Sequence, residues 1–201
     1  MSLEKHLVVF VKKPLLGRVK TRLAANIGAV AATAFYRQCL QRVIPPLARD
    51  ARWRTWLAVT PDGTRAPWPA EVSLLNQGGG DLGRRMQRPM TALPPGPVVI
   101  IGTDVPDITP AHIAQAFRAL GRHDAVFGPA ADGGYWLVGL RRRPRVPEAF
   151  ADVRWSSQQA LADTLRNLHG LKIAMLDTLA DIDDGATHAA WIRARRRDPA
   201  K

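Results

Sequence analysis

Val98-Val99-Ile100-Ile101 places apolar side chains on both faces of an extended segment, which only a sheet covered on both sides can bury. Pro95-Gly96-Pro97 before the run and Gly102-Thr103-Asp104-Val105-Pro106 after it delimit a short central strand of a parallel sheet. Open sheets of this kind leave their ligand crevice just outside the carboxyl ends of the strands. Asp104 stands at that end, poorly placed for packing and well placed to hold a divalent cation or a sugar hydroxyl.

The rest of the chain alternates in the same way. Leu7-Val8-Val9-Phe10-Val11 reads as a first strand, and a helix over about residues 30–47 stops near Pro45-Pro46. Trp56-Leu57-Ala58-Val59 and Val72-Ser73-Leu74-Leu75 are further strands, and a helix opens near Asp81. Thr109 is a good N-cap with Pro110 at the first helical position, for a helix reaching about Leu120. Ala125-Val126-Phe127 and Tyr135-Trp136-Leu137-Val138-Gly139-Leu140 flank the turn Asp132-Gly133-Gly134. Ser156 or Ser157 caps a helix ending at Gly170, Ile173-Ala174-Met175-Leu176 is a last strand, and a basic helix from about Thr187 closes the chain. This order predicts a three-layer α/β/α fold on a mostly parallel, Rossmann-like sheet. With no repeat or linker, the 201 residues read as a single domain with a basic tail over about 193–201.

Composition narrows the class. A hydrophobic fraction of 46% supplies an ordinary globular core, and the apolar runs are too short to span a bilayer. Cys39 is the only cysteine, which excludes an intrachain disulfide and fits a reducing cytoplasm. The net charge of +12 raises a nucleic-acid-binding module as a rival reading. Much of the excess, however, sits in Arg141-Arg142-Arg143, Arg145 and the tail, with no aromatic-basic interleaving and no zinc-finger or basic-zipper spacing. No nucleic-acid partner is therefore expected. The five histidines lack metal-ligand spacing and no Ser-His-Asp pattern appears, so hydrolysis through a covalent intermediate has no support.

Four segments carry chemistry. In Lys12-Lys13-Pro14-Leu15-Leu16-Gly17-Arg18-Val19-Lys20-Thr21-Arg22 a strand feeds a loop and then a helix whose start bears Lys20 and Arg22. Such a loop is either a phosphate cradle or a solvated basic turn, and it matches neither the P-loop nor the dinucleotide fingerprint. Gln77-Gly78-Gly79-Gly80-Asp81 lets backbone lie against a flat base or ribose, while Asp81 also suits a helix N-cap. Asp181-Ile182-Asp183-Asp184 is the source of a second acid for a magnesium ion at Asp104, with Asp184 a rival cap for the last helix. Asp132 either turns a hairpin or takes a hydroxyl bond beside the aromatic pair Tyr135-Trp136.

Read together, Phe10-Val11-Lys12, Gly17-Arg18-Val19-Lys20-Thr21-Arg22-Leu23, Gly80-Asp81-Leu82-Gly83, Gly102-Thr103-Asp104-Val105-Pro106, Asp132-Gly133-Gly134-Tyr135-Trp136-Leu137 and Asp181-Ile182-Asp183 resemble selenodomain-associated transferase 1, a bacterial group of the GT-A nucleotide-diphospho-sugar transferase superfamily. The likeness runs from about residue 8 to residue 190. The first loop is also similar to that of small nucleotidyltransferases acting on phospholactate or molybdopterin. The resemblance implies a GT-A fold and a Mg2+ (or Mn2+) ion held by Asp104 and Asp183. It implies phosphate binding through Lys12, Gly17, Lys20 and Arg22; the glycine loop adds Gly80 and Asp81 as nucleotide-binding candidates, and Lys20, Asp104 and Asp132 are the candidate catalytic residues. The implied activity is transfer of a group from a nucleotide-activated donor, a nucleotide sugar, to a small-molecule acceptor. The alternative is a nucleotidyltransferase that uses a nucleoside triphosphate and releases pyrophosphate. Two departures stand out: Gly102 occupies the first acidic place of an Asp-x-Asp, and Asp184-Gly185-Ala186 stands where relatives often carry Thr-Pro-Glu.

Overall fold

A computed structural model describes residues 3–197, so residues 198–201 of the expected basic tail lie outside the described residues. One seven-stranded sheet organises the chain: β1 (His6–Lys12), β2 (Arg54–Thr60), β3 (Ser73–Asn76), β4 (Val98–Ile101), β5 (Ala125–Pro129), β6 (Tyr135–Leu140) and β7 (Ile173–Met175), in the spatial order β3-β2-β1-β4-β6-β5-β7. Every pairing is parallel except those of β6, which runs antiparallel to both β4 and β5. The expected mostly parallel three-layer architecture is therefore present, with one reversed strand.

Helices cover both faces. On one side α2 (Ala29–Ala48) and α4 (Pro110–Ala119) bury Leu40, Val43, Ile44, Ile113 and Phe117 against Leu7, Val9, Leu57, Val99 and Ile101. On the other, α3 (Leu82–Ala92) and α5 (Ala160–Asn167) pack Met86, Met90 and Leu165 against Val8, Val98, Ile100 and Phe127. Odd and even positions of β1 and β4 thus enter different cores, as the period of a strand requires. All four residues of β4 are at most 3% exposed, and each such burial contributes roughly 1.5–3 kcal/mol. A third cluster joins α1 (Thr21–Ile27) and α2 to Ile182 and to Trp191 of α6 (Gly185–Arg197) through Leu23, Phe35 and Cys39.

One expected helix end holds, and two local expectations are corrected. The second helix, expected to reach about residue 47 near Pro45-Pro46, ends at Ala48. Its end is tied by tertiary bonds, because the Trp53 indole and the Thr55 hydroxyl both donate to the Leu47 carbonyl at 3.0 Å. Neither Ser156 nor Ser157 is a helix N-cap. That position belongs to Gln159, while the Ser157 hydroxyl donates to the Arg154 carbonyl and Ser156 adopts φ 58°. The last helix begins at Gly185, two residues earlier than expected, with Asp184 accepting from the Thr187 N–H at 2.8 Å. By contrast, Thr109 forms the expected start of α4, completed by a capping box with His112.

Candidate active site

The carboxyl edge of the sheet opens onto a cavity of about 870 Å³, a size suited to a nucleotide with a second small molecule. Lys12, Lys20, Arg22, Gly80, Asp81, Asp104, Asp132 and Asp183 all line it, and Gly17 does not. Gly17 turns the first loop at φ +70°, with open space where a Cβ would stand.

Lys20 sits at the start of α1 in the left-handed region, φ 48° and ψ 47°, which costs a non-glycine residue about 1 kcal/mol or more. That backbone turns its side chain inward, where it is only 3% exposed. The ammonium lies 2.5 Å from Asp104 Oδ1, 2.8 Å from Asp183 Oδ1 and 2.7 Å from the Ile182 carbonyl. A backbone bond from Ile182 N to Asp104 O, 3.0 Å long, closes the same junction. Burial pulls the Lys20 pKa down, but the two carboxylates overcome it, and the net shift is upward from 10.5. An ammonium has three protons, and here three protein oxygens take them. Lys20, expected at a phosphate, here clamps two acids on the cavity wall.

The acids keep their access. The side chains of Asp104 and Asp183 are 55% and 42% exposed, and Arg22, itself 72% exposed, reaches only to 4.0 Å from Asp183 Oδ2. Asp181 lines the same wall; burial, and then the neighbouring charges of Asp132 and Asp183, hold its carboxyl above the usual range. Among the described residues no group of three or more His, Cys, Asp or Glu side chains could cage a metal ion. Two half-exposed carboxylates do fit a magnesium or manganese ion that completes its shell with water and phosphate oxygens.

The glycine loop is fixed from behind. Arg88 donates to the Gln77 and Gly79 carbonyls and Arg85 Nε to the Gly80 carbonyl, while Gly78 N donates to Asp62. The buried Gln77 amide donates in turn to the Val11 and Ala58 carbonyls. Asp81 is the N-cap of α3, accepting from Arg84 N at 2.8 Å, and it also lines the cavity. Asp132 accepts from Gly134 N at 2.8 Å, which is the hairpin reading, and it too lines the cavity.

Sequence reasoning did not single out Tyr36, Arg85 or Trp155, which also line the cavity. The Tyr36 hydroxyl joins three segments, accepting from Lys12 N at 3.0 Å, donating to Lys12 O at 3.2 Å and lying 3.3 Å from Thr103 Oγ1. It sits in the apolar stripe of a helix and carries no sequence signal beyond its hydroxyl. Arg85 had one, since it lies four residues after Asp81 and so on the same helical face. The basic run at 141–143 is partly spent on the fold: Arg141 pairs with Asp124 at 2.5 Å, and Arg142 donates to the carbonyls of Leu93, Pro94 and Gly96.

A crystal structure from Desulfovibrio desulfuricans G20, provisionally named a nucleotide-diphospho-sugar transferase, is 29% identical, with a TM-score of 0.88 over 98% of this chain and 90% of that one. The inositol-1-phosphate CTP transferase from T. maritima shares the fold at 11% identity, with a TM-score of 0.58 and 97% of each chain covered. So does the manganese complex of Rv0371C from Mycobacterium tuberculosis H37Rv, at 14% identity and a TM-score of 0.52, over 96% of this chain and 100% of that one. No curated protein matches the chain. A family model described as "Uncharacterized protein conserved in bacteria (DUF2064)" matches residues 43–157, a span that holds the Gly80-Asp81 loop, the turn at Asp104 and the hairpin at Asp132. With more than half of its residues in that pattern, the chain belongs to the bacterial DUF2064 family.

Proposed function

We propose that the protein is a divalent-metal-dependent, nucleotide-utilising transferase that moves a glycosyl group from a nucleotide sugar to a small acceptor. The observation that carries this reading is the convergence of Lys20, Asp104 and Asp183 on one cavity at the carboxyl edge of the sheet. The 29% identity to a protein provisionally named a nucleotide-diphospho-sugar transferase supports a sugar donor, and a manganese complex within the same fold supports the ion.

In this reading Asp104 and Asp183, both half-exposed on the cavity wall, would hold the ion. When bound, the ion would supply Lewis-acid chemistry at the donor's phosphates. Arg22, 4.0 Å from Asp183, and Lys12 elsewhere on the cavity wall would offset charge on the departing phosphates. The loop held by Arg85 and Arg88 presents flat backbone to the nucleoside. Asp132, Tyr135 and Trp155 also line the cavity and border the space left for the acceptor in this reading, with Asp132 taking a hydroxyl bond. No protein nucleophile is needed.

A second reading, transfer of a nucleotidyl group from a nucleoside triphosphate, draws on the shared fold of the CTP transferase from T. maritima. One experiment separates the two. Nucleotide sugars and nucleoside triphosphates of each base are tested for thermal stabilisation with Mg2+ or Mn2+, and the products are then assayed. Release of a nucleoside phosphate from a nucleotide sugar supports the first reading, and pyrophosphate release from a triphosphate the second. Failure of both classes to stabilise the protein, or stabilisation unaffected by Asp104→Asn, overturns the site.

A further inference from the structure

The Lys20 ammonium occupies the space between the two carboxylates assigned to the ion. Its contacts to Asp104, Asp183 and the Ile182 carbonyl use every proton it has, and its side chain is sealed from solvent. The two acids it joins come from segments far apart in the chain, one after β4 and one after β7. Both remain partly open to the cavity, so a second cation can approach only from that side and against a positive charge already in place. We infer that Lys20 is a resident counter-cation that keeps divalent ions out of this site until the phosphates of a bound nucleotide add their own negative charge and ligands.

The charges support this order of events. Two carboxylates and one ammonium sum to a single negative charge, too little to draw a strongly hydrated divalent ion out of water. Magnesium keeps several waters and binds through one or two carboxylates together with substrate phosphates. A diphosphate bound beside Arg22 and Lys12 raises the negative charge and supplies the missing oxygens, so ion and nucleotide enter as a unit. Metal-free protein then holds Asp104 and Asp183 in register without an ion, because Lys20 does so. Its left-handed backbone is consistent with a geometry imposed for this purpose.

The inference rests on the reading of Asp104 and Asp183 as the ion's ligands, and its test needs no turnover. Mn2+ binding to the nucleotide-free protein is followed by the loss of the free-ion electron paramagnetic resonance signal, for wild type, Lys20→Met and the double variant Lys20→Met/Asp104→Asn. Wild type is expected to bind Mn2+ weakly, Lys20→Met at least tenfold more tightly, and the double variant to lose that gain. A purely structural role for Lys20 predicts the opposite, since a disordered site binds less metal. Equal or weaker binding by Lys20→Met, with circular dichroism showing an intact fold, overturns the inference. If the variant does not fold, the wild type decides: stoichiometric, tight Mn2+ uptake without nucleotide overturns the inference, and weak uptake supports it. Nucleotide binding by wild type is measured separately. Its absence would count against the transferase reading while leaving the Mn2+ result interpretable.

Discussion

Gly83, at the start of α3, is buried where the helix meets the segment carrying Phe150 and Trp155. A Cβ built there would stand 2.5 Å from the Phe150 carbonyl oxygen and 3.1 Å from the Trp155 ring. Two effects compete in Gly83→Ala. Alanine is favoured over glycine in a helix interior by at most about 1 kcal/mol, and by less in a first turn. Against this, one contact is to backbone, which cannot swing aside, and overpacking of this kind costs roughly 1–3 kcal/mol. The clash wins, for a net loss of about 1–2 kcal/mol, or roughly 2–8 °C in Tm for a chain of this size. Because α3 and Trp155 both border the cavity, ligand-induced stabilisation should shrink as well. The assay is thermal unfolding by circular dichroism, with and without the best nucleotide from the screen. Gly79→Ala is the control, since nothing lies within 4 Å of its Cβ position and its φ is not in the left-handed region; its Tm should stay near that of wild type. A Gly83→Ala Tm equal to or above wild type would refute the packing argument.

Other outcomes follow from single side chains. His6 is fully buried, its Nδ1 accepting from the Trp56 indole, and burial holds its pKa below 6.5. The stability this represents is present above pH 6.5 and lost as pH falls through the folded value, because the unfolded chain takes up the proton first. Urea midpoints between pH 8 and pH 5 should therefore fall more steeply for wild type than for His6→Gln, and equal slopes would contradict it. Burial pushes the Cys39 thiol up to about 12, so iodoacetamide at pH 8 should leave it unmodified until denaturant is added; labelling of the folded protein would count against the core placement. Arg88→Met removes two bonds behind the glycine loop and should weaken nucleotide binding severalfold while Tm changes little, as judged by paired calorimetric titration and melting.

Much of the sheet was legible because its strands are local events. Val98–Ile101 and His6–Lys12 declare themselves by continuous apolar runs, and Thr109-Pro110 marks its helix by cap chemistry confined to four residues. What escaped was decided at a distance. The two serines after Trp155 read as caps, but Ser157 bonds backward to Arg154 and leaves the N-cap to Gln159. At the site, the residue types were readable one by one and their mutual roles were not. Nothing within either local window indicates that Lys20 would meet Asp183 across 163 positions, so its charge reads as available for phosphate. Tyr36 escaped for a related reason: its apolar neighbours along α2 hide a hydroxyl that joins β1 to the turn before Asp104.

The reversal of β6 sets where the cavity rim is constrained. Because β6 runs against its neighbours, its first residue, Tyr135, emerges at the same edge as the last residues of β1 and β4. The connection from β5 therefore overhangs the cavity mouth instead of crossing a face of the sheet. The link is pinned there: a Cβ on Gly133, at φ +86°, would meet the Gln158 backbone, and the Gly133 carbonyl accepts from Leu161 N at 3.2 Å. The turn beside the second substrate and the Lys20 junction, drawn from three distant parts of the chain, thus both restrict which residues the cavity rim accepts.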